Sequence, residues 1–249
     1  MSKTCCGRPP LCRILGCLSL LAALLAAAAV AAAGPLTRFG VLGFRDAFSL
    51  MRGGAWAGLG SAVFAAGVLL AGRWTNAAVA AMAVGALAFA VPWELYAAAR
   101  SHPPIHDVST DTQDPPAFSA VLPLRQGAMN PADYGGPAVA AQQKAAYPDL
   151  APLTTPLPAP TVFLACMQAV HALGWKVDGG DAAAGRIEAT DATSWFGFKD
   201  DVVVRVAEKG GLTVVDVRSV SRVGVGDAGT NARRIRDFLS AVSARLPAE

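Results

Sequence analysis

The chain has 249 residues, a length that accommodates one or two compact units and excludes three. Hydrophobic residues make up 53% of it and charged residues only 16%, whereas about a quarter of a typical soluble protein is charged. Residues 1–100 carry eight basic and two acidic side chains (net +6), and residues 101–249 carry 13 basic and 16 acidic ones (net −3). This division into an apolar, basic half and a mildly acidic half excludes a wholly soluble protein. It also excludes a nucleic-acid binder driven by bulk charge, because the acidic half has no basic excess to neutralise phosphates.

Three uncharged stretches of twenty residues each predict membrane-spanning helices over residues 14–33, 53–72 and 74–93. A helix of that length crosses a hydrocarbon core of about 30 Å. All three stretches are rich in alanine and glycine, which permit close approach of neighbouring helices. Aromatic side chains near their ends suit the membrane–water interface; they are Trp56, Trp74, Trp93 and Tyr96.

Two parts of this region have alternative interpretations. The first stretch follows a basic segment and ends in small residues, so it fits a retained helix or a cleavable secretory signal, and its length favours the retained helix. Residues 38–52 fit either a short amphipathic helix at the membrane surface or an apolar loop packed on the helices.

The orientation of the chain depends on its basic side chains, which are divided equally between the two sides of the membrane. Three of them, Lys3, Arg8 and Arg13, directly precede the first span and favour a cytoplasmic N-terminus. With three spans in the inner or plasma membrane, residues 101–249 are then expected on the extracytoplasmic side.

A proline-rich segment over residues 101–160 separates the membrane region (1–100) from a domain predicted over residues 161–249. Its prolines predict extended stretches and turns instead of long helices. Because it is also rich in specific polar residues, we expect it to pack on the domain.

The domain is predicted to contain a helix, four antiparallel strands and a second helix. Thr161 is the expected cap of the first helix and Gly174 its stop, and Asp227 or Thr230 is the expected cap of the last helix, over about 228–246. The strands are expected at residues 175–178, 186–190, 201–206 and 212–220. The fold class is therefore α+β, with an N-terminal bundle of three transmembrane helices followed by a two-layer domain of antiparallel sheet with helices.

The densest polar cluster lies early in the proline-rich segment, where one histidine and three carboxylates fall within nine residues. These side chains have the donor atoms for a divalent metal or for acid–base catalysis. They are also the residue types that build turns in extended loops, and this interpretation is favoured because no second histidine or cysteine lies nearby. We assign no metal ligands, and the cofactor is unknown. The candidate residues are His106, Asp107, Ser109, Thr110, Asp111 and Asp114.

A second group of candidates lies around the last two strands and the start of the final helix. Aromatic side chains around Gly197 either form a recognition or lipid-contacting patch or, as favoured, cover the core. Positively charged arginines near the start of the final helix are unfavourable, because the helix dipole is positive there. A compensating negative charge is therefore expected, either from a bound anion or, as favoured, from carboxylates of the same chain. Asp216 and Arg218 share one strand face and suggest cross-strand ion pairs. The candidate recognition patch comprises Trp195, Phe198, Asp200, Asp201, Arg218, Arg222, Asn231 and Arg234.

Several motifs occur in a fixed order: HDVSTD at 106–111, DPP at 114–116, WFGFKDD at 195–201, DVRS at 216–219, SRVG at 221–224 and NARRI at 231–235. Together they resemble the DUF1499 family over about residues 102–246, and the membrane region resembles the multi-span leader of some members. The resemblance implies that these motifs belong to one domain. It implies no reaction, because the family is named for lacking an assigned function.

Two functional hypotheses follow. The favoured one is a membrane-anchored cell-envelope domain that acts as a non-enzymatic binding or scaffold module for a partner protein or lipid, since no nucleophile–base pair or complete ligand set is visible. The alternative is a metal-assisted hydrolase that uses the cluster at 106–114, with Arg218 and Arg222 as anion clamps. A transporter subunit is less favoured, because the only carboxylate near a predicted span, Glu94, sits at its end.

Overall fold

A computed structural model describes residues 10–71 and 75–247 of the chain. The described chain divides into two compact units. The first comprises the chain up to Ala97 together with the short segment Ser194–Gly197, and the second comprises Ala98–Thr193 and the chain from Phe198 onward.

Three long helices make up most of the first unit: α1 (Pro10–Arg38), α2 (Phe44–Leu70) and α3 (Asn76–Arg100). Each is long and apolar enough to span a membrane, which confirms the prediction of three long apolar helices. The bounds differ: α1 extends beyond its predicted span at both ends, α2 begins nine residues before its span, and α3 ends seven residues after its span. Trp74, predicted at an interface, lies outside the described residues. Large apolar side chains point outward from all three helices, as expected of lipid-facing surfaces; they include Leu18, Leu25, Phe64, Leu70 and Leu87.

Small residues bring these helices into close contact. A Cβ atom on Gly58 of α2 would lie 2.9 Å from the carbonyl oxygen of Gly85 on α3, closer than real side chains approach. Gly54 makes the equivalent approach to α1, where the oxygen of Ala26 would lie 2.9 Å from a Cβ. The backbones therefore pack where side chains are absent, as the glycine and alanine content predicts.

Residues 38–52 form neither a separate short helix nor a continuous loop. Residues 44–52 form the beginning of α2, and only residues 39–43 connect it to α1. The helix continues through Gly53 and Gly54 because no proline interrupts it and Gly54 packs directly on α1.

The second unit is built on one antiparallel sheet of six strands. They are β1 (Asp107–Ser109), β2 (Leu153–Thr155), β3 (Lys176–Asp181), β4 (Arg186–Ala192), β5 (Lys199–Lys209) and β6 (Leu212–Ser221). The strand order is β1-β6-β5-β4-β3, and β2 pairs with another part of β6. The predicted α+β class is confirmed, and the four expected strands correspond to β3–β6.

Helices α5 (Ala159–Ala172) and α6 (Thr230–Ser243) cover one face of this sheet. Alternation along β5 directs Val202, Val204 and Val206 toward them, where these side chains join Ile235 and Phe238 of α6 in the main core. The opposite face is covered by part of the proline-rich segment: Phe118 and Val121 pack there on Val203 and Val220.

The proline-rich segment contains more regular structure than the sequence predicts. Besides β1 and β2 it forms a short 3-10 helix (Leu122–Arg125) and an α-helix, α4 (Gly136–Ala146). The prolines permit α4 because Pro137 lies in its first turn, where no N–H partner is lost, and the next proline is Pro148.

The expected helix ends are partly corrected. Thr161 does not cap α5, which begins at Ala159 with Pro160 in its first turn; Gly174 follows its end with φ of +73°, as expected of a stop. At the start of α6, the Asp227 carboxylate accepts hydrogen bonds from the N–H groups of Gly229 (2.9 Å) and Asn231 (2.7 Å). Asp227, not Thr230, therefore supplies the capping oxygens.

Candidate functional site

The central strands carry buried charges on the sheet face opposite α5 and α6, which we call the ion-pair face. It is defined by Asp201 and Arg205 on β5 and by Asp216 and Arg218 on β6, because these side chains alternate with the core valines. Asp201 and Asp216 are completely inaccessible to solvent. A buried carboxylate requires a cation and hydrogen-bond donors, and three separate groups of contacts supply them.

The first group joins Asp107 of β1 to Arg218 of β6. The guanidinium donates to both carboxylate oxygens, at 2.9 and 2.7 Å, and also to the carbonyl oxygens of Pro116 and Ala132. It stacks near the rings of Phe118 (5.1 Å) and Tyr134 (5.4 Å). Arg218 therefore ties two points of the proline-rich segment to the sheet.

The second group centres on Arg205, which lies directly opposite Asp216 in the β5–β6 register. Arg205 donates to Asp216 at 2.8 Å, to Asp111 at 3.3 Å and to Asp114 at 2.9 Å. Lys209 adds a second cation 3.4 Å from Asp216. One strand arginine thus holds both later carboxylates of the 106–114 cluster.

The third group centres on Asp201, whose carboxylate lies between two arginines. Arg125, from the 3-10 helix, and Arg222, just after β6, both donate to it, Arg222 at 2.7 and 2.9 Å. The Thr190 hydroxyl donates to Asp201 at 2.9 Å and lies 2.5 Å from Asp178 on β3. The Arg222 guanidinium also donates to the Leu124 carbonyl at 2.7 Å, so this group secures the 3-10 helix.

A buried glutamate completes the attachment of the part of the proline-rich segment that packs on the ion-pair face, which we call the covering segment. Glu188 of β4 is 1% exposed and accepts hydrogen bonds from the N–H groups of Ser119 and Val121, at 2.9–3.0 Å. Backbone amides therefore stabilise this carboxylate, with Arg186 4.0 Å away. A cavity of about 170 Å³ lies beside it, lined in part by Gly179, Gly180 and Arg186.

A fourth set of polar contacts lies on the helix-covered face, at the start of α6. Arg234 donates to Asp200 at 2.6 Å and to Asp191 at 2.8 Å, so carboxylates on two strands compensate this helical arginine, as favoured from the sequence. Asn231 accepts from Ser219 at 2.6 Å and donates to the His106 carbonyl at 3.1 Å. These contacts join α6 to the sheet.

The remaining residues of the 106–114 cluster bind mainly backbone or neutral partners, and the Thr110 hydroxyl also lies 3.5 Å from Asp216. Ser109 and Gln143 exchange hydrogen bonds at 2.9 and 2.7 Å, and Thr110 exchanges them with the backbone of Val217. The His106 ring lies 3.3 Å from the Val225 carbonyl. Asp111 also accepts from the N–H groups of Gln113 and Asp114, as in the turn that the sequence favours.

The 106–114 cluster therefore does not converge on one point. Asp107 lies in the first group, whereas Asp111 and Asp114 lie in the second. Within the described residues, no group of three or more histidine, cysteine, aspartate or glutamate side chains is placed to hold a metal ion.

The eight residues of the predicted recognition patch are likewise separated. Arg218, Asp201 and Arg222 contribute to the ion-pair face, whereas Asp200, Asn231 and Arg234 lie on the helix-covered face. Trp195 belongs to the first unit, where its ring contacts Phe196 (4.9 Å between centroids) and its indole N–H lies 3.4 Å from the Ala31 carbonyl oxygen. Phe198 closes the turn before β5: its carbonyl accepts the N–H of Thr193, and its own N–H donates to the Thr193 hydroxyl, both at 2.9 Å.

Burial and charge shift several pKa values in the second unit. Burial raises the pKa of Asp107, against the opposing effect of Arg218, and burial likewise raises the pKa of Asp200. For Asp111, burial is outweighed by the backbone N–H groups of Asp114 and Gln113 and by Lys209 and Arg205, so its pKa is lowered. Burial raises the pKa of the Cys166 thiol to about 12, which keeps it protonated and unreactive.

Several important side chains were missed by the sequence analysis: Arg125, Gln143, Glu188 and Arg205. For Arg205 a signal existed, because its alternation with Val204 and Val206 places it on the same face as Asp201. Nothing local indicates Arg125, whose partner lies 76 residues away.

The fold and these contacts define a membrane-associated α+β protein with three apolar helices and a sheet domain crossed by buried ion pairs. The chain belongs to the DUF1499 family: the family model, described as a protein of unknown function, matches residues 107–242, more than half of the sequence. This confirms the resemblance drawn from the ordered motifs. No curated protein matches the chain.

Proposed function

We propose that this chain is a membrane-anchored protein of the cell envelope whose second unit is a non-enzymatic binding or scaffold module. One observation carries the proposal: the three carboxylates of the densest polar cluster are divided between two arginines and do not meet at one point. Asp107 is held by Arg218, and Asp111 and Asp114 are held by Arg205. These carboxylates act as attachment points between the proline-rich segment and the sheet.

The same contacts weigh against the alternative of a metal-assisted hydrolase. A metal would have to displace guanidinium groups that are themselves buried or partly buried, and leaving a buried charge uncompensated costs several kcal/mol, roughly 3–5. Acid–base catalysis would require a carboxylate that is open to substrate. Asp114 is the most exposed of the three, with 78% of its side chain accessible, and it is paired with Arg205 at 2.9 Å.

A metal titration of the full-length protein in detergent tests this proposal, with native mass spectrometry as the readout and Mg²⁺, Mn²⁺ and Zn²⁺ as probes. We expect no stoichiometric adduct that depends on the cluster. An adduct lost in both Asp107→Asn and Asp111→Asn but retained in Asp149→Asn would overturn the proposal and favour the hydrolase. Asp149 is a suitable control because its pair with Arg236 lies on the surface.

We also propose that the second unit lies on the extracytoplasmic side. An odd number of spans is expected to put the second unit and the N-terminus on opposite sides of the membrane, and the structure has three candidate spans. The basic residues before the first span favour a cytoplasmic N-terminus. The exposed Lys144, replaced by cysteine, should react with a membrane-impermeant maleimide in intact cells, whereas a cysteine at Ala71 should react only after permeabilisation. The opposite labelling pattern would reverse the orientation.

A further inference from the structure

One end of the sheet in the second unit lies beside the last turn of α3, and we call it the anchored end. The second unit begins at Ala98 and therefore includes that turn. His102 lies 2.8 Å from the Ala98 carbonyl, and its ring fills the space beside Gly229, where a Cβ atom would be 2.5 Å away. A Cβ on Gly226 would likewise lie 3.2 Å from Pro104. The loop between β6 and α6 is therefore packed on the residues that leave the third span.

Three exposed apolar side chains lie at this end and form what we call the apolar patch: Leu124, Met129 and Val225. Val225 is 74% exposed, and the other two are about half exposed. They are half of the six large apolar side chains that are exposed in the described part of the second unit. At the opposite end, the turn between β5 and β6, Leu212 is the single exposed large apolar side chain among the described residues.

Arg222 holds the patch in a fixed arrangement. Its guanidinium donates to the Leu124 carbonyl at 2.7 Å, and its own carbonyl accepts the N–H of Met129 at 2.9 Å. The Asn130 amide donates to the Gly224 carbonyl at 2.9 Å, next to Val225. These backbone polar groups have hydrogen-bond partners within the protein. The patch can therefore enter an apolar environment without leaving a buried polar group without a partner.

The chain between the end of α3 and the residues packed on the loop between β6 and α6 is short. Pro103 is three residues beyond Arg100, a separation of at most about 11 Å at 3.3–3.6 Å per residue. Helix α3 has 25 residues, and at 1.5 Å per residue it is longer than a hydrocarbon core of about 30 Å, so its end reaches the headgroup region. The exposed cations Lys199 and Arg233 are at the same end of the unit, where they suit anionic headgroups.

We propose that the apolar patch inserts into the lipid–water interface of the bilayer that the three helices span. This inference deepens the proposed binding function by naming lipid as its partner, and it rests on the membrane anchoring in that proposal. Apolar side chains flanked by cations are the composition of interfacial membrane contacts. Docking would fix the orientation of the second unit relative to the membrane surface.

The test uses full-length protein in vesicles of phosphatidylethanolamine and phosphatidylglycerol. Cysteines 5, 6, 12 and 17 are replaced by alanine, and a polarity-sensitive fluorophore is attached to Val225→Cys or Met129→Cys. Leu212→Cys is the matched control, because it is also exposed and apolar but lies nine residues along β6 from Ser221, about 30 Å away. We expect a blue shift and loss of fluorescence with doxyl-labelled lipids at 225 and 129, and neither change at 212.

Two results would overturn the inference. A label at 225 that behaves like the label at 212 would show that the patch faces water. A label that is blue-shifted but not quenched by doxyl lipids would show that a protein, such as a second copy of the chain, covers the patch.

A charge variant provides an independent measurement. Val225→Asp should abolish lipid quenching of the label at 129, while Leu212→Asp should leave it unchanged, with unaltered melting temperatures showing that both variants fold. Unchanged quenching in Val225→Asp would also contradict lipid insertion. If the labels show no lipid contact and the metal titration finds no adduct, the proposed binding or scaffold function is retained. Only the assignment of lipid as its partner is then withdrawn.

Discussion

The two faces of the sheet are stabilised in different ways. Beneath α5 and α6, β5 and β6 present valines to Ile235 and Phe238, and stability comes mainly from burial of apolar area. The buried contacts of Arg234 at the start of α6 are the polar exception on this face. On the ion-pair face the same strands present Asp201, Arg205 and other charges to a proline-rich segment. The helices can cover an apolar face because their backbones are internally satisfied, whereas an irregular segment needs partners for its carbonyl and N–H groups.

This difference explains the abundance of buried arginine and carboxylate. Arg218 and Arg222 each bind a carboxylate and, at the same time, carbonyl oxygens of the covering segment. Glu188 accepts two N–H groups from that segment. The ion pairs thus specify which loop attaches where, and we expect that face to tolerate fewer substitutions than the apolar one.

The largest effect is expected for Asp201→Ala. Removing this carboxylate leaves the guanidinium groups of Arg125 and Arg222 uncompensated in a buried site, which should lower the free energy of unfolding by about 3–5 kcal/mol. Chemical denaturation of the full-length protein in detergent, followed by tryptophan fluorescence, measures this loss.

The control for this prediction is Asp149→Ala, which removes a surface pair with Arg236 and should cost at most about 1 kcal/mol. Equal losses of unfolding free energy in the two variants would mean that the contribution of an ion pair to stability does not depend on its burial. In that case the distinction between the two faces would fail.

A smaller loss is expected for Arg218→Lys. Lysine keeps the positive charge but cannot donate simultaneously to both oxygens of Asp107 and to two carbonyl groups, so the variant should lose about 1.5–3 kcal/mol. Arg236→Lys at the surface pair is the matched substitution and should change stability by less than about 1 kcal/mol. An Arg218→Lys variant as stable as the wild type would show that charge alone, without the planar donor geometry, suffices on this face.

The apolar face should be more tolerant. Ile187→Val removes one methylene from a fully buried side chain between β4 and the helices, and we expect a loss of about 0.5–1.5 kcal/mol. The same denaturation experiment measures it. A loss above that of Arg218→Lys would reverse the ranking of the two faces.

The two faces also differ in how well the sequence predicts them. Valine alternation along β5 and the apolar spacing of α6 are local signals, and both elements form where they are expected. The short strands β1 and β2 and the helix α4 carry no comparable signal, because their positions depend on pairing with β6 or on packing far along the chain. Among the ion pairs, the adjacent residues Asp200 and Asp201 have different partners: Asp201 binds Arg222, just after β6, whereas Asp200 binds Arg234 of α6. Residue pairs about 100 positions apart, such as Asp107 and Arg218, cannot be matched from one sequence.

The smallest effect is expected at the exposed edge of the ion-pair face, where Asp111 has a lowered pKa. Because this pKa lies below the ordinary value of 3.8, the stability that the charged carboxylate contributes is present above pH 3.8 and is lost as the pH falls through the folded value. Asp111→Asn retains an oxygen for the N–H groups of Gln113 and Asp114 but loses the attraction to Arg205, at a cost of about 0.5 kcal/mol at neutral pH. The difference in melting temperature between wild type and variant should therefore be constant at neutral and mildly acidic pH and should shrink as the pH falls below 3.8. The exposed Asp133→Asn serves as the control in the same segment. A difference in melting temperature that stays constant at every pH would mean that Asp111 stabilises the protein through its turn geometry. The charge of Asp111 would then have no part in holding the covering segment on the sheet.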